Sequence, residues 1–439
     1  MTPEHRQFLQ EFYTKLREMP LDQTDRRYEP LWDVPALIES DPVDLMLRSI
    51  LWTPVESVQL FAGFRGAGKT TELRRLATAL RDKGYLVILC DVEDYLNMST
   101  AVDVSDFLMA MAGAFGEALK DEALLGADAK HEGYWERLWS FLNRTRVSLD
   151  ELGGEIGGLG VKANLKSDPT FRQKLQERMA GHLGALVADV RQFFAECILA
   201  LKEAHGEEKE VVLLVDSVEH IRGTSVNAEQ VQAAVERLFT SHAEQLHIPS
   251  LHVVYTVHPY LKVRYANLGA LYEPGGVKVL PSVKVLEKSG ATSPPGLAAM
   301  RRVVDKRGDW RQLLGSEEAL ERLILASGGH LRDLVRLLRE VVLRAKVIPV
   351  PAETVDAAMN QIRNESLPIA DADALWLDRI AKTHSASLET SAGLADFARF
   401  LDTHVVLCYW NGHEWYDVHP LLRSAIAEQA AHCAAAPDH

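Results

Sequence analysis

Cysteine is scarce. The 439 residues hold 4, Cys90, Cys197, Cys408 and Cys433, at no spacing that would ligate a metal. A disulfide-stapled scaffold is excluded, and Cys90 and Cys197 sit in apolar segments, so buried thiols in a reducing compartment are expected. Long apolar runs are also missing. No stretch reaches the ~18 consecutive apolar residues of a membrane span, and Met1 to Gln23 is polar and mixed in charge without a signal-peptide core. The expectation is a soluble, cytoplasmic protein with no membrane partner. Excess positive charge is lacking too: 48 Lys and Arg against 62 Asp and Glu leave −14. That argues against a broad electrostatic binder of nucleic acid but allows a local basic patch. What is present, 47% hydrophobic and 25% charged residues, is ordinary globular usage, and the length predicts two to four domains.

Residues 1–48 read as a polar lead-in that closes on a short helix at about 41–51. A strand over 55–61, a glycine loop and a helix over 69–81 follow, and the apolar run 85–90 predicts a parallel strand covered on both faces. Residues 103–205 are mostly helical, and Gly153, Gly154, Gly157, Gly158 and Gly160 predict a β-hairpin inserted between helices. Strands at 211–215, 251–257 and 277–286, with a helix at 227–242, continue the alternation. Helices at 295–302, 317–327, 331–345 and 352–363 then end the sheet. Two more, at 373–382 and 392–401, precede 405–410 and 414–418, joined by Asn411-Gly412, a strong hairpin signal.

The segment Gly63-Phe64-Arg65-Gly66-Ala67-Gly68-Lys69-Thr70 fits G-x-x-x-x-G-K-[ST] throughout and lies between a predicted strand and a predicted helix. The glycines let backbone N–H groups converge on phosphate oxygens at a helix N-terminus. Lys69 supplies a point charge to the β- and γ-phosphates, and the Thr70 hydroxyl suits Mg²⁺. Gly63, Arg65, Gly66, Ala67, Gly68, Lys69, Thr70 and Thr71 are therefore the expected ATP- or ADP-binding set. An acid at the end of a neighbouring strand is needed to hold the magnesium, and Val211 to Val215 leads into Asp216, so Thr70 and Asp216 are the candidate metal ligands. The next residue is Ser217, where many ATPases carry a glutamate to orient water. Either Glu219 takes that role or it caps the strand and faces solvent, leaving hydrolysis slow or absent.

These features, with Tyr255-Thr256-Val257-His258, Gly328-Gly329-His330-Leu331-Arg332 and the terminal hairpin, follow in order over residues 50–439. The chain resembles the AAA+/STAND branch of P-loop ATPases. The resemblance implies an α/β fold: a P-loop NTPase with parallel sheet and helical insertion, followed by a helical lid and a C-terminal winged helix. The expected boundaries are 1–48 lead-in, 49–288 ATPase core with its insertion at about 103–205, 289–365 lid and 366–439 winged helix. It also implies that Arg332 reaches the γ-phosphate, the alternative being a surface arginine on an amphipathic helix. Lys69, Asp216, Glu219 and Arg332 form the expected catalytic set. Val418-His419-Pro420-Leu421-Leu422 resembles the STAND pattern in which a winged-helix histidine contacts the ADP phosphates; a core histidine is the alternative. Two departures are His258, where an arginine commonly follows, and the lack of a repeat array or effector domain after the winged helix.

The implied function is an ATP-hydrolysing switch that forms a homo-oligomer with ATP, with Arg222 and Arg264 as candidates to act across subunits, and that engages a protein effector. Small ATPases of this kind resemble components of bacterial defence. The alternative is a DNA-engaging loader or transposition helper. Nucleic acid is not favoured, because residues 401–439 carry Arg423 as their only Lys or Arg beside Asp402, Glu414, Asp417, Glu428 and Asp438.

Overall fold

The computed structural model describes residues 2–120, 181–224, 226–388 and 393–435, with scattered positions at 124 and between 166 and 177. The hairpin expected near 153–165 lies outside the described residues. The strands are β1 (Ser57–Gly63), β2 (Leu86–Asp91), β3 (Val211–Asp216), β4 (His252–Val257), β5 (Gly276–Leu280), β6 (Val406–Trp410) and β7 (Glu414–Val418). The helices before the end of β5 are α1 (Pro3–Lys15), α2 (Pro42–Trp52), α3 (Lys69–Asp82), α4 (Val104–Ala118), α5 (Leu183–His205), α6 (Ala228–Phe239) and α7 (Tyr260–Arg264). Beyond it come α8 (Pro294–Asp305), α9 (Trp310–Leu314), α10 (Glu317–Ala326), α11 (Leu331–Arg344), α12 (Ala352–Asn364), α13 (Asp371–Thr383), α14 (Leu394–Asp402) and α15 (Arg423–Ala435). None of the described helices is long and apolar enough to cross a membrane.

The chain divides into two units, one of Val43–Ala62 with Glu72–Val279, the other of Met1–Pro42, Gly63–Thr71 and Leu280–His439. The first holds a sheet of order β2-β3-β4-β1-β5. β2, β3, β4 and β1 pair in parallel, and the register sets Asp91 beside Asp216 and Ala62 beside Val257, so the carboxyl ends of these strands share one edge. β3 and β4 are buried along their whole length, which is why Val211 to Val215 reads as an unbroken apolar run and β4 as a largely apolar one that also buries His252 and Thr256. β2 differs from expectation. It is the edge strand, and Leu89 is 42% exposed. Phe107, Phe239 and Tyr255 form an aromatic cluster in the core, with centroids 5.9 to 6.2 Å apart, and the Tyr255 hydroxyl donates to the Leu246 carbonyl at 2.9 Å.

In the second unit, α11 buries Leu334, Leu337, Leu338 and Val341 on one face and carries Arg332, Arg336 and Arg339 at the remaining positions, the 3.6-residue pattern that made it legible. The strand expected to reach 286 stops at Leu280, because Ser282 and Val283 donate instead to the carbonyls of Cys408 and Gly329 at 3.0 and 3.1 Å. α9 was not anticipated. It spans 5 residues, too few to show a period, and starts where the Asp309 carboxylate accepts from the N–H groups of Arg311 and Gln312. Residues 1–42 belong to this unit: Glu29 pairs with Arg302 at 2.5 Å and Lys306 at 3.1 Å. Two helices, the antiparallel β6–β7 hairpin and α15 follow one another in the order expected of a winged helix. Tyr409 and Trp415 stack across the hairpin at 4.6 Å, and the Tyr409 hydroxyl donates to the Gly328 carbonyl at 2.7 Å. These aromatics pack the hairpin.

Candidate nucleotide-binding site

β1 delivers the chain to Gly63, and α3 begins at Lys69. The loop between them turns through Gly66 and Gly68, at φ +87° and +100°, a region that only glycine enters without strain. At Gly66 space is equally decisive, since a Cβ would stand 2.6 Å from Cβ and 2.7 Å from Nε of Arg332. The Lys69 ammonium is buried and donates to the carbonyls of Gly63 at 2.6 Å and Phe64 at 2.8 Å, which holds it over its own loop. Ala67 is buried and Thr70 half-buried. The Thr71 hydroxyl is turned to the N-terminal segment and accepts from the Leu21 N–H at 3.1 Å.

The first turn of α11 meets this loop. Arg332 lies against Gly66, so it is not a solvated surface arginine, and burial pulls it below the ordinary guanidinium value despite Glu18 beside it. His330, the residue before α11, contacts the Arg65 carbonyl through Nε2 at 3.1 Å and the Asp333 carboxylate through Nδ1 at 2.7 Å. Asp333 is buried and also touches Nε2 of His419 at 3.3 Å. Burial would raise the Asp333 carboxyl, but His330 and His419 outweigh it and hold the group well below the usual carboxylate range. His404 stacks edge-on to His330 at 4.8 Å, and His330, Asp333 and His404 present ligand atoms within 4.8 Å of one another. Both ring nitrogens of His330 already face protein partners, the Arg65 carbonyl and the Asp333 carboxylate.

His419 follows β7. Its Nδ1 accepts from the Leu421 N–H at 3.4 Å, and its Nε2 faces Asp333. Through Nε2, His419 therefore contacts α11.

In the other unit, Asp216 ends β3 on the edge where β1 and β4 also end. It is buried, and its Oδ1 accepts from the Ser217 N–H at 2.8 Å. Ser217 is left-handed at φ +65°, which turns the chain so that the Val218 N–H donates to the Thr256 hydroxyl at 3.3 Å. Glu219 is 6% exposed, so the solvent-facing alternative does not hold. His258 is buried and accepts from the Tyr260 N–H at 3.3 Å. Arg264 grips Glu236 through two nitrogens at 2.9 and 3.0 Å. Thr70 offers a hydroxyl and Asp216 a carboxylate, each a hard oxygen of the kind Mg²⁺ takes.

A phosphate loop directly after β1, in a sheet ordered β2-β3-β4-β1-β5 whose β2, β3, β4 and β1 run parallel, makes the fold an α/β P-loop NTPase fold. No protein-family model and no curated protein matches the sequence. Among solved structures the chain is similar to a Walker-type ATPase of Pyrococcus abyssi, at 12% identity and TM-score 0.41 over 94% of this chain and 99% of that one. It is similar to the ADP form of the ORC2 protein of Aeropyrum pernix, at 11% identity and TM-score 0.43 over 96% and 98%. The ORC1 protein of Aeropyrum pernix, in complex with DNA, matches at 13% identity and TM-score 0.34 over 90% and 92%. What the site can do is decided by this chain's own residues.

Two participants, Asp333 and Glu18, escaped the sequence. Asp333 had a usable signal, since it stands three residues after His330, the spacing that brings side chains together at the start of a helix. Burial of Glu219 had none, and Glu18, far upstream, had none either.

Proposed function

We propose that the protein binds ATP with Mg²⁺ at residues 63–71, hydrolyses it, and uses the nucleotide state as a switch over its own assembly or over an effector partner. The observation that carries this is one run of polar contacts: Arg65 carbonyl to His330, His330 to Asp333, Asp333 to His419. The phosphate loop, the first turn of α11 and the segment after the hairpin are thereby joined, so a phosphate that moves the loop shifts the balance between two arrangements of the helical and hairpin elements.

The loop N–H groups and Lys69 bind the phosphates, and Arg332 meets the charge of the third. Thr70 and Asp216 would hold Mg²⁺, which supplies charge neutralisation at the phosphates. Glu219, a buried carboxylate near the end of β3, is the candidate to orient water. His419 acts in this reading through Asp333. The bacterial-defence setting comes from the resemblance to small ATPases, and no residue speaks to it. Duplex DNA is the alternative partner. Arg399, Lys382 and Arg423 of the C-terminal elements are held by Asp373, Asp378 and Asp417, so DNA binding that weakens with salt and stimulates hydrolysis is the result that would select it.

Calorimetry and turnover on two variants test the core of this. Lys69→Ala loses charge-assisted hydrogen bonds worth ~1.5–3 kcal/mol each, so ATP affinity drops by at least about tenfold. Asp216→Asn stays folded and loses magnesium-dependent hydrolysis. Unchanged ATP affinity in folded Lys69→Ala protein ends the assignment.

A further inference from the structure

After α1 ends, residues 17–20 run as open chain to Leu21, whose N–H bonds Thr71 at 3.1 Å. Glu18 sits within this stretch. Its Oε2 takes Nε of Arg332 at 3.0 Å, and its Oε1 takes Nη1 of Arg339 at 3.4 Å. Arg339 is itself fixed, donating to the Tyr13 hydroxyl at 3.0 Å with its guanidinium 5.0 Å over the Tyr13 ring. The carboxylate is thus held by two arginines on one face of α11, about two turns apart. The Arg332 Nε that it takes occupies the space beside Gly66 of the phosphate loop, where it would stand 2.7 Å from a Cβ. The other charges acting on Arg332 are Arg65, Arg336 and Asp333, and Asp333 already serves His330, His419 and Arg336.

We infer that Glu18 is a specificity-determining residue: it competes with the terminal phosphate of ATP for Arg332 and thereby sets the preference between ATP and ADP. The inference rests on the proposed reading of Arg332 as the residue that meets the γ-phosphate. ADP lacks the group that Arg332 would meet, so it binds with the Glu18–Arg332 pair intact. ATP must draw Arg332 away from Glu18 or bring phosphate oxygens close to a carboxylate. Either way a cost falls on the triphosphate alone, which is discrimination by a repulsive element.

The test is calorimetry with ADP and with a slowly hydrolysed ATP analogue on wild type, Glu18→Gln, Arg332→Ala and the double variant. Glu18→Gln should tighten the analogue by up to about fivefold and leave ADP unchanged, as expected for one partly exposed charge pair. Arg332→Ala should weaken the analogue selectively, and Glu18→Gln added to it should change nothing further. If Arg332→Ala leaves the analogue unaffected, the reading of Arg332 fails and the inference falls with it. If Arg332→Ala weakens the analogue but Glu18→Gln shifts both nucleotides equally, or neither, the role of Glu18 alone is overturned. The Glu18 side chain is 34% exposed, so the variant should fold. Glu18→Asp, which retracts the charge by one methylene, provides a second check: a smaller gain for the analogue supports the competition, and no gain overturns it.

Discussion

Asp333 carries three contacts on one carboxylate, His330 at 2.7 Å, His419 at 3.3 Å and Arg336 at 3.4 Å. Burial opposes its charge and the two histidines favour it, with the balance lying well below the ordinary carboxylate range. Its folded-state value is depressed relative to the unfolded value of about 3.9. The stability it contributes is therefore present above that unfolded value and is lost as pH falls through the folded one. Urea unfolding of wild type should show stability declining below about pH 4, and Asp333→Asn, already missing the contribution, should decline less steeply. Near neutral pH, Asp333→Ala should cost about 3 kcal/mol, because it leaves His330 and His419 buried without their acid. Equal acid limbs in wild type and Asp333→Asn would remove Asp333 from the centre of the cluster.

At the scale of elements, α11 decides how the loop is covered, and its start is set by a backbone that only glycine provides. Gly329 stands at φ +73°, and a Cβ there would lie 1.7 Å from the Val283 carbonyl oxygen. The close approach is used: the Val283 N–H donates to the Gly329 carbonyl at 3.1 Å, which pins the segment after β5 to the residues before α11. Gly329→Ala should destabilise by at least about 2 kcal/mol, the left-handed penalty plus a backbone clash that no rotamer relieves. The urea midpoint reports the loss. A change below about 0.5 kcal/mol, the ordinary range for a surface substitution, would mean that this junction yields easily and does not set the start of α11.

For the molecule as a whole the expectation is assembly governed by nucleotide. Native mass measurement should find a smaller species with ADP and a larger one with the slowly hydrolysed ATP analogue. His419→Ala removes the contact to Asp333 and should favour the arrangement in which the segment after the hairpin is released from α11, so the larger species forms at lower ATP and ADP leaves faster. A hydrogen bond to a charged group is worth ~1.5–3 kcal/mol, which moves the balance by roughly tenfold to a hundredfold. A lower melting temperature with unchanged ADP release would reduce His419 to a packing residue.

The sequence by itself determined the phosphate loop, because G-x-x-x-x-G-K-[ST] encodes a local backbone shape and a local charge. It also determined β3 and β4, whose burial on both faces leaves largely apolar runs, α11 through its amphipathic period, and the hairpin around Asn411-Gly412. Each of these is written within a local stretch of at most 14 residues. Only the tertiary structure decided that β2 is an edge, that β5 stops at Leu280, and that Glu219 is buried. It alone brought Glu18 to Arg339, 321 positions away, and joined His330, Asp333 and His419. Periodicity records which face of an element is covered and says nothing of what covers it, and an ion pair between distant charges leaves no mark on the sequence near either one.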